Sequence, residues 1–227
     1  MKPLDSLQPI QRRVLVALAG LEPRWTLSGG GALAGFHLGH RLTRDVDLFF
    51  RGATVLDRAG DDAERELRTR GLDVTRLVTT PAFVQMRVAE GGDVVLVDLV
   101  ADPVATIEAS VTADIDGTSV EIDSMHEILV NKLCALLGRA ELRDLVDVTA
   151  ILAAGGDLDR AVSEAPRKDG GFSALTLAWL LSRYPAMRLA RAYGIDPDQA
   201  EQLRASLESR LVELARREAE PGDPTPT

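Results

Sequence analysis

Apolar residues in the first half of the chain come in short runs that favour β-strands. Branched and aromatic side chains fill most of their apolar positions, either in alternation or nearly continuously. The predicted strands cover 45–50, 73–79, 82–89 and 94–100. A Glu-Gly-Gly-Asp turn at 90–93 joins the last two as a hairpin. A second hairpin is predicted to turn at Asp116-Gly117 and to return through 120–122.

Three segments of the same half have helical patterns instead. Residues 4–20 predict a helix with Pro9 in its first turn and a glycine at its end. A short helix is predicted over Ala32 to His40, and a charged helix over 58–70 that ends at a glycine. The first half therefore has the mixture of helices and strands that is typical of an α+β domain.

The second half has helical periodicity throughout. It opens at Ser124-Met-His-Glu127, where the spacing of serine and glutamate is that of a capping box. The predicted helices cover 124–138, 141–154, 157–165, 172–192 and 196–217. Pro185 should break or kink the fourth of these because proline lacks the N–H that a helix interior uses. We expect Trp179 and Tyr184 of that helix to be core residues rather than platforms for base stacking.

These patterns predict three regions. Residues 1–123 form an α+β domain, and residues 124–218 form an all-helical domain. Residues 219–227 have the proline-rich, polar composition of a disordered tail. A length of 227 residues accommodates one large domain or two small ones, and the change of pattern near residue 123 favours two.

One segment of the first half, 27–50, contains several residues that could form a binding or catalytic site. A short apolar approach leads into Ser28 and the three glycines at 29–31. The predicted short helix and a basic turn follow, and the chain then enters a strand through Asp45-Val46-Asp47. Either motif alone is usually a turn or a solvated strand end, but their combination in this order predicts a site.

The chemistry of that segment favours phosphate and a metal ion. A strand, a glycine turn and a helix direct backbone N–H groups toward one point, and glycine lets a phosphate approach closely. Asp45 and Asp47 share one face of a strand, with Cα atoms about 6.5 Å apart. Two such carboxylates repel each other unless a cation lies between them, and Mg²⁺ accepts carboxylates together with substrate phosphates.

Asp98 is the single charge inside the apolar strand 94–100. A carboxylate inside a buried strand is costly unless it is paired or bound to a metal ion. It could be a third metal ligand beside Asp45 and Asp47, or it could pair with an arginine or lie at the strand's end. Asp93 and Asp102 lie in the flanking turns and are weaker candidates.

The first two helices of the second half carry another set of charges. Lys132 lies on the first helix, and Asp144 and Asp147 lie three residues apart on the second, so they share a face. Arg139 and Arg143 lie close to them in sequence. Periodicity alone favours a solvated helix pair with ordinary ion pairs between arginines and aspartates.

Both sets of residues resemble one known family. The segment GGGALAGFHLGHRLTRDVDLFF, residues 29–50, is similar to the AbiEii/AbiGii toxins, which include the MenT toxins. These belong to the nucleotidyltransferases with a DNA polymerase β-like palm. The family's second signature resembles Ile128, Lys132, Ala135, Leu136, Arg139, Arg143, Asp144 and Asp147. Gly138 departs from it by shortening the link between the helices. The resemblance covers 24–152.

The resemblance implies a fold and a set of roles. The fold is a mixed sheet with flanking helices, the palm, followed by a C-terminal helical bundle that completes the nucleotide site. The implied contacts of the nucleotide triphosphate are Ser28, Gly29, Gly30, Arg44 and Lys132. The implied ligands of Mg²⁺, or of Mn²⁺ in its place, are Asp45, Asp47 and Asp98. Asp144 is the helical aspartate proposed as a base in that family, with Asp147 as second choice.

Charge is unevenly distributed along the chain. The formal net charge of −9 argues against a protein that coats nucleic acid non-specifically. Residues 1–51 nevertheless carry seven Lys/Arg against four Asp/Glu, whereas residues 88–127 carry ten acidic residues and no Lys/Arg. The segment with the glycines and aspartates is therefore in the electropositive part of the chain, which suits a polyanionic substrate.

Cysteine content and hydropathy bear on the cellular location of the chain. The single cysteine, Cys134, cannot form an internal disulfide, and it lies in an apolar helical run as a core residue would. This usage is typical of a reducing cytoplasm. The chain has no run of 18 apolar residues, so no membrane span is predicted.

The resemblance implies a metal-dependent nucleotidyltransferase that acts as the toxin of a bacterial toxin–antitoxin pair. It would transfer NMP from an NTP to an RNA acceptor such as the 3′ end of tRNA, and so block translation. A cognate antitoxin is an expected partner, whereas DNA and membrane are not. The alternatives are transfer to a protein or small-molecule hydroxyl, and a nucleotide-binding regulator without turnover. A position of Asp98 away from Asp45 and Asp47 would favour the regulator.

Overall fold

The computed structural model describes residues 3–219. The chain divides into two compact units, Met1–Ile128 and Leu129–Thr227, and the division falls within helix α4, Met125–Gly138. Ser124 caps that helix as predicted, because its Oγ accepts a hydrogen bond from the Glu127 N–H at 3.0 Å. The predicted disordered tail lies outside the described residues, except for Ala219.

Seven strands form a single sheet in the first unit. They are β1 (Thr26–Ser28), β2 (Asp45–Arg51), β3 (Asp73–Thr79), β4 (Phe83–Glu90), β5 (Asp93–Asp102), β6 (Val111–Ile115) and β7 (Thr118–Ile122). Their order across the sheet is β3-β4-β5-β2-β1-β7-β6. Each of the predicted strands is confirmed, as is the hairpin that turns at Asp116-Gly117.

The sheet is mixed, as the α+β prediction requires. Strand β2 runs parallel to β5 and antiparallel to β1, and β1 runs parallel to β7. The remaining pairs are antiparallel hairpins. The central strands β5, β2 and β1 therefore come from distant parts of the sequence, and their pairing brings residues near 28, 47 and 98 into one neighbourhood.

The two faces of the central strands differ in burial. In β2 the buried residues are Val46, Leu48 and Phe50, whereas Asp45 and Asp47 on the other face are partly exposed. This alternation is the two-residue period of the sequence expressed in structure. Helices α1 (Pro9–Leu18) and α3 (Ala59–Thr69) pack against each other, α1 also contacts β5, and α3 contacts β3.

The helix predicted over 4–20 begins later than expected. Residues Pro3–Ser6 form a short 3₁₀ helix, and α1 starts at Pro9. Gln8 before it is extended, with φ −67° and ψ 153°, because the residue preceding a proline is disfavoured in the helical region. The Gln8 N–H donates a hydrogen bond to the Gln11 side chain at 2.7 Å, so the capping group is a glutamine pair.

The short helix of the first unit also begins elsewhere than predicted. It starts at Gly29 as α2 (Gly29–Ala32) and continues as a π-helix, Leu33–Leu38, so the glycines form its first turn rather than a loop. A Cβ on Gly35 would lie 2.7 Å from Leu7 carbon atoms, and the Ser6 hydroxyl donates to the Ala34 carbonyl at 2.5 Å. Close packing against the N-terminal segment therefore requires a glycine at position 35.

The second unit consists of helices in its described part. After α4 come α5 (Leu142–Ala153), α6 (Leu158–Glu164), α7 (Ala174–Ser182), α8 (Ala186–Tyr193) and α9 (Pro197–Ala219). Pro185 separates α7 from α8, as predicted. Helix α9 packs against α5, α7 and α8 and contributes Leu207 and Leu211 to the core. Within residues 3–219 no helix is both long enough and apolar enough to span a membrane.

The two aromatic residues of α7 and its C-terminal end have different environments. Tyr184 is buried, as predicted, but Trp179 is 59% exposed, so the expectation of a core tryptophan is wrong. Helix α7 buries Leu177, Ala178 and Leu181 instead. Its sequence is apolar on nearly all sides, and periodicity therefore could not identify the side that faces the core.

Candidate functional site

A row of four polar residues crosses the sheet of the first unit. Ser28 pairs with Asp47, Asp47 with Asp98, and Asp98 with Gln85, on the neighbouring strands β1, β2, β5 and β4. Residues directly opposite each other on adjacent strands project from the same face. The structure therefore brings Asp98 beside Asp47, on the face that Asp45 also shares.

Two neutral side chains orient the carboxylates of this row. The Thr43 hydroxyl donates a hydrogen bond to Asp45 Oδ1 at 2.6 Å. Gln85 Nε2 donates a hydrogen bond to Asp98 Oδ1 at 2.9 Å. Neither donor carries charge, so both fix the direction of a carboxylate without neutralising it.

The protein surroundings of Asp98 disfavour the charge of its carboxylate. Burial raises the pKa of its carboxyl group, the hydrogen bond from Gln85 opposes that rise, and the negative charge of Asp45 adds to it. The ionised form is thus held in the folded protein at a cost, as expected for a group whose natural counter-charge is a cation.

Asp98→Asn should therefore raise the free energy of unfolding when no divalent cation is present. A carboxyl group whose pKa is raised on folding destabilises the protein at pH values above that pKa. The gain from the asparagine should be largest near neutral pH and should vanish below about pH 4, where the unfolded carboxyl is also protonated. Urea unfolding across this pH range measures it.

Asp73→Asn is the matched control, because Asp73 is exposed at the start of β3. It should leave the unfolding free energy within about 0.5 kcal/mol of the parent. Equal stability of Asp98→Asn and the parent at neutral pH would contradict the cost assigned to the charge.

The glycines at the start of α2 fit closely against charged side chains. Gly29 has φ 61°, and a Cβ at this position would overlap the carboxylate of Asp47. A Cβ on Gly30 would lie 2.6 Å from Nη2 of Arg41. Glycine is therefore required at position 29 by its backbone conformation and by the close approach of Asp47, and Arg41 brings a positive charge to the first turn of α2.

Asp123 is a site residue that the sequence did not single out. It is buried, its carboxylate pairs with the Arg51 guanidinium, and the hydroxyl of Ser28 is hydrogen-bonded to it. Burial raises the pKa of its carboxyl group, Arg51 and Ser28 oppose the rise, and the charge of Glu127 adds to it. His37 Nε2 lies 2.8 Å from the Asp123 carbonyl oxygen.

Asp123 reaches the site through tertiary structure. It follows β7, whose pairing with β1 places the Asp123 backbone N–H 2.9 Å from the Leu27 carbonyl. A pairing between residues nearly a hundred positions apart cannot be predicted from a local motif. Arg51 also pairs with Asp102, which the sequence suggested only as a weaker metal candidate.

Arg44 is exposed, and its backbone is held by the sheet. Its carbonyl accepts a hydrogen bond from the Leu96 N–H at 3.2 Å. Among residues 3–219 its guanidinium forms no ion pair. The prediction that Arg44 contacts the nucleotide stays a prediction, and its exposed side chain is accessible to such a ligand.

The charges predicted on α4 and α5 form a compact cluster in the second unit. Lys132 Nζ lies 2.8 Å from Asp144 Oδ1 and 2.9 Å from Asp147 Oδ2. Arg139 donates to both oxygens of Asp144, at 2.9 and 3.0 Å. Both aspartate side chains are fully buried. The contacts are ion pairs, as periodicity suggested, but they are buried rather than solvated.

The cluster fixes the protonation of Lys132. Burial lowers the pKa of its ammonium, but the charges of Asp147 and Asp144 and their hydrogen bonds outweigh that effect, and the net pKa is raised. Burial also raises the pKa of Cys134 to about 11, so its thiol is protonated and serves packing, as expected.

The carboxylates of the first unit suit a metal ion that also binds phosphate. Within residues 3–219, no three His, Cys, Asp or Glu side chains stand in an arrangement that would hold an ion by themselves. Mg²⁺ does not require one, since it commonly takes one or two carboxylates and completes its shell with water and phosphate. The shared face of Asp45, Asp47 and Asp98, with mutual repulsion between Asp45 and Asp98, fits that pattern.

The mixed sheet, with Asp47 and Asp98 side by side on β2 and β5, has the fold of solved nucleotidyltransferases. The family model of the nucleotidyl transferase AbiEii toxin, type IV toxin–antitoxin system, matches residues 13–221. The family match makes the protein an enzyme of the nucleotidyltransferase class. The chain belongs to this family.

Solved structures have the same fold at low sequence identity. JHP933 from Helicobacter pylori is 17% identical, with a TM-score of 0.56, over 96% of this chain and 97% of that chain. An antigenic nucleotidyltransferase-like protein from Paracoccidioides brasiliensis is 18% identical, with a TM-score of 0.51, over 84% of this chain and 96% of that chain. A search of curated proteins gave no match.

Proposed function

We propose that this nucleotidyltransferase uses a divalent metal ion to transfer NMP from an NTP to an RNA acceptor, such as the 3′ end of tRNA, and thereby blocks translation. The observation that carries the proposal is the pairing of Asp47 with Asp98 in adjacent parallel strands, with Asp45 on the same face. The family description supports the role of a toxin and implies a cognate antitoxin.

The triphosphate would lie at the start of α2. Gly29 and Gly30 carry no side chain that would cover the start of the helix, and the Ser28 hydroxyl, held by Asp123, adds a positioned polar group. The guanidinium of Arg41 beside Gly30 and the exposed side chain of Arg44 supply positive charge. Such groups stabilise the charge that develops on the phosphates during transfer.

The carboxylates would hold Mg²⁺, or Mn²⁺, through Asp45 and Asp47, with Asp98 as third ligand. When bound, the ion would lower the pKa of an acceptor hydroxyl and neutralise charge on the departing pyrophosphate. The hydrogen bonds from Thr43 to Asp45 and from Gln85 to Asp98 would fix the orientation of these two carboxylates before the substrates bind.

In the transfer step, the oxygen of the acceptor hydroxyl attacks the α-phosphorus of the NTP. The bond from the α-phosphorus to the bridging oxygen breaks, and pyrophosphate leaves. The hydroxyl proton passes to a carboxylate or to water. Asp98, on the same face as Asp45 and Asp47, is a candidate acceptor.

Family resemblance assigns Lys132 to phosphate and Asp144 to the base. Lys132 is held by two carboxylates in the second unit, so contact with phosphate would require it to exchange one of these partners. Both oxygens of Asp144 already accept hydrogen bonds from cations, which leaves it a poor proton acceptor as it stands. We therefore favour Asp98 over Asp144 as the proton acceptor.

A label-transfer assay tests the proposed function. Purified protein is incubated with Mg²⁺, total bacterial tRNA and each of four α-labelled NTPs in turn, beside Asp45→Ala. We expect label on tRNA from at least one nucleotide, and no label with the variant. Label on protein or a small molecule instead would retain the chemistry and reject the RNA acceptor. Nucleotide binding without any transfer would reject catalysis.

A further inference from the structure

Two successive helices of the second unit, α7 and α8, carry exposed residues that have no role in the site described above. We call these residues the α7–α8 patch and define it by Leu175, Trp179, Arg183, Arg188 and Arg191. Leu175 and Trp179 are 61% and 59% exposed, and with Arg183 they follow one another at four-residue intervals along one side of the helix. Burial of one helix face thus leaves a large aromatic side chain in solvent.

The charge of this segment is unlike that of the rest of the chain. Residues 170–195 contain three arginines and no Asp, Glu or Lys, in a protein of net charge −9. All three arginines are exposed, and within residues 3–219 none of them forms an ion pair. By contrast, Arg65 and Arg68 of α3 each pair with an acidic neighbour. The guanidinium groups of the patch are therefore not neutralised by ion pairs in the described part of the chain.

The tryptophan and the first arginine are arranged for stacking. The Arg183 guanidinium lies over the Trp179 ring, 4.8 Å from its centroid. This cation–π contact holds a long side chain against the ring and leaves more than half of the tryptophan surface in solvent. A flat π-surface with guanidinium groups beside it is the combination that single-stranded nucleic acids recognise, through base stacking and phosphate contacts.

We propose that the α7–α8 patch binds a single-stranded segment of the RNA acceptor, with one base stacked on Trp179 and phosphates near Arg188 and Arg191. This inference rests on the proposed function, since it names where that acceptor is held. Stacking and charge together favour RNA: the exposed ring of Trp179 suits a base, and three arginines without ion pairs suit the phosphates beside it.

The test measures RNA binding by the full chain. A fluorescently labelled, 12-nucleotide single-stranded RNA and a labelled tRNA are titrated with the parent, Trp179→Ala, Trp179→Phe and Val212→Ala. We expect Trp179→Ala to weaken binding about tenfold or more, as loss of a stacked base requires. Trp179→Phe should retain most of the affinity. Val212→Ala, at a partly exposed apolar position of α9, should bind like the parent.

The arginines provide a second, independent readout. Arg188→Gln with Arg191→Gln should reduce the slope of log Kd against log salt by about 0.7 for each phosphate that the variant no longer binds. An unchanged slope, or equal RNA affinity of Trp179→Ala and the parent, overturns the proposal. Loss of a captured protein partner with unchanged RNA binding also overturns it, in favour of a protein interface.

Failure of this proposal is distinguishable from failure of the proposed function. If the parent labels tRNA and Trp179→Ala labels it with the same KM, the enzyme acts on RNA but the patch does not bind it. If the parent labels no RNA while RNA binding still depends on Trp179, the patch binds RNA and the proposed reaction is wrong. NTP binding should be equal in the parent and Trp179→Ala in either case.

Discussion

Asp47→Asn is expected to reduce nucleotide transfer about a hundred- to a thousandfold, with the fold retained. Asp47 stands between Ser28 and Asp98 in the row across the sheet, and its carboxylate packs against Gly29. The asparagine keeps the shape of the side chain and removes its charge. The expected loss of activity is therefore due to the missing negative charge at the point where the triphosphate and the metal ion would meet.

Asp93→Asn is the matched control, since Asp93 is exposed at the opposite end of β5 from Asp102. It makes the same chemical change in the same unit and should retain the parent's rate. Transfer of α-labelled nucleotide to tRNA gives the rate, and far-ultraviolet circular dichroism gives the fold. A folded Asp47→Asn protein with the parent's rate would remove the row from the active site.

Lys132→Met is expected to destabilise the protein by about 3–5 kcal/mol. The ammonium of Lys132 is the shared partner of Asp144 and Asp147, whose side chains are fully buried. Methionine has a similar volume and no charge, so the change removes the lysine partner of both carboxylates. A buried carboxylate that loses its counter-ion is costly, whereas the pair itself contributes less. Equilibrium unfolding in urea measures the difference.

Arg216→Met provides the comparison, because Arg216 is 67% exposed and pairs with the exposed Glu213 in the same unit. Such a pair contributes about 0–1 kcal/mol. Adding Asp147→Asn to Lys132→Met should recover part of the lost stability, since it removes one of the buried charges. A loss no larger for Lys132→Met than for Arg216→Met would show that the cluster does not stabilise the unit.

The same cluster sets the response to alkaline pH. The pKa of Lys132 is raised in the folded protein by its two carboxylate neighbours. Its contribution to stability is therefore complete below the ordinary lysine pKa, about 10.4, and is lost as the pH rises through the higher folded value. Neutral and mildly alkaline solutions thus preserve the cluster in full.

The strands, and the common face of their aspartates, could be predicted from sequence because each depends on the local two-residue period of side chains along a strand. Asp98 was recognisable as the single charge in an apolar strand, and the sheet register pairs it with Asp47. Asp123 was not recognisable, because it reaches Ser28 through a pairing between β1 and β7 that no local pattern specifies.

Other features were predicted wrongly for the opposite reason: a local pattern was present, but tertiary packing overrides it. Three glycines in succession predict a turn, yet the helix already begins among them, in close contact with Arg41 and Asp47 of the segment that follows. The exposed position of Trp179 was hidden by a helix that is apolar on nearly every side.

The raised pKa of Asp98 has a consequence for mutations that inactivate the enzyme. An asparagine at this position should disarm the enzyme and at the same time relieve the folded chain of an unfavourable charge. Most inactivating substitutions lower stability and expose their carriers to proteolysis. This one should persist as a well-folded protein that does not transfer nucleotide.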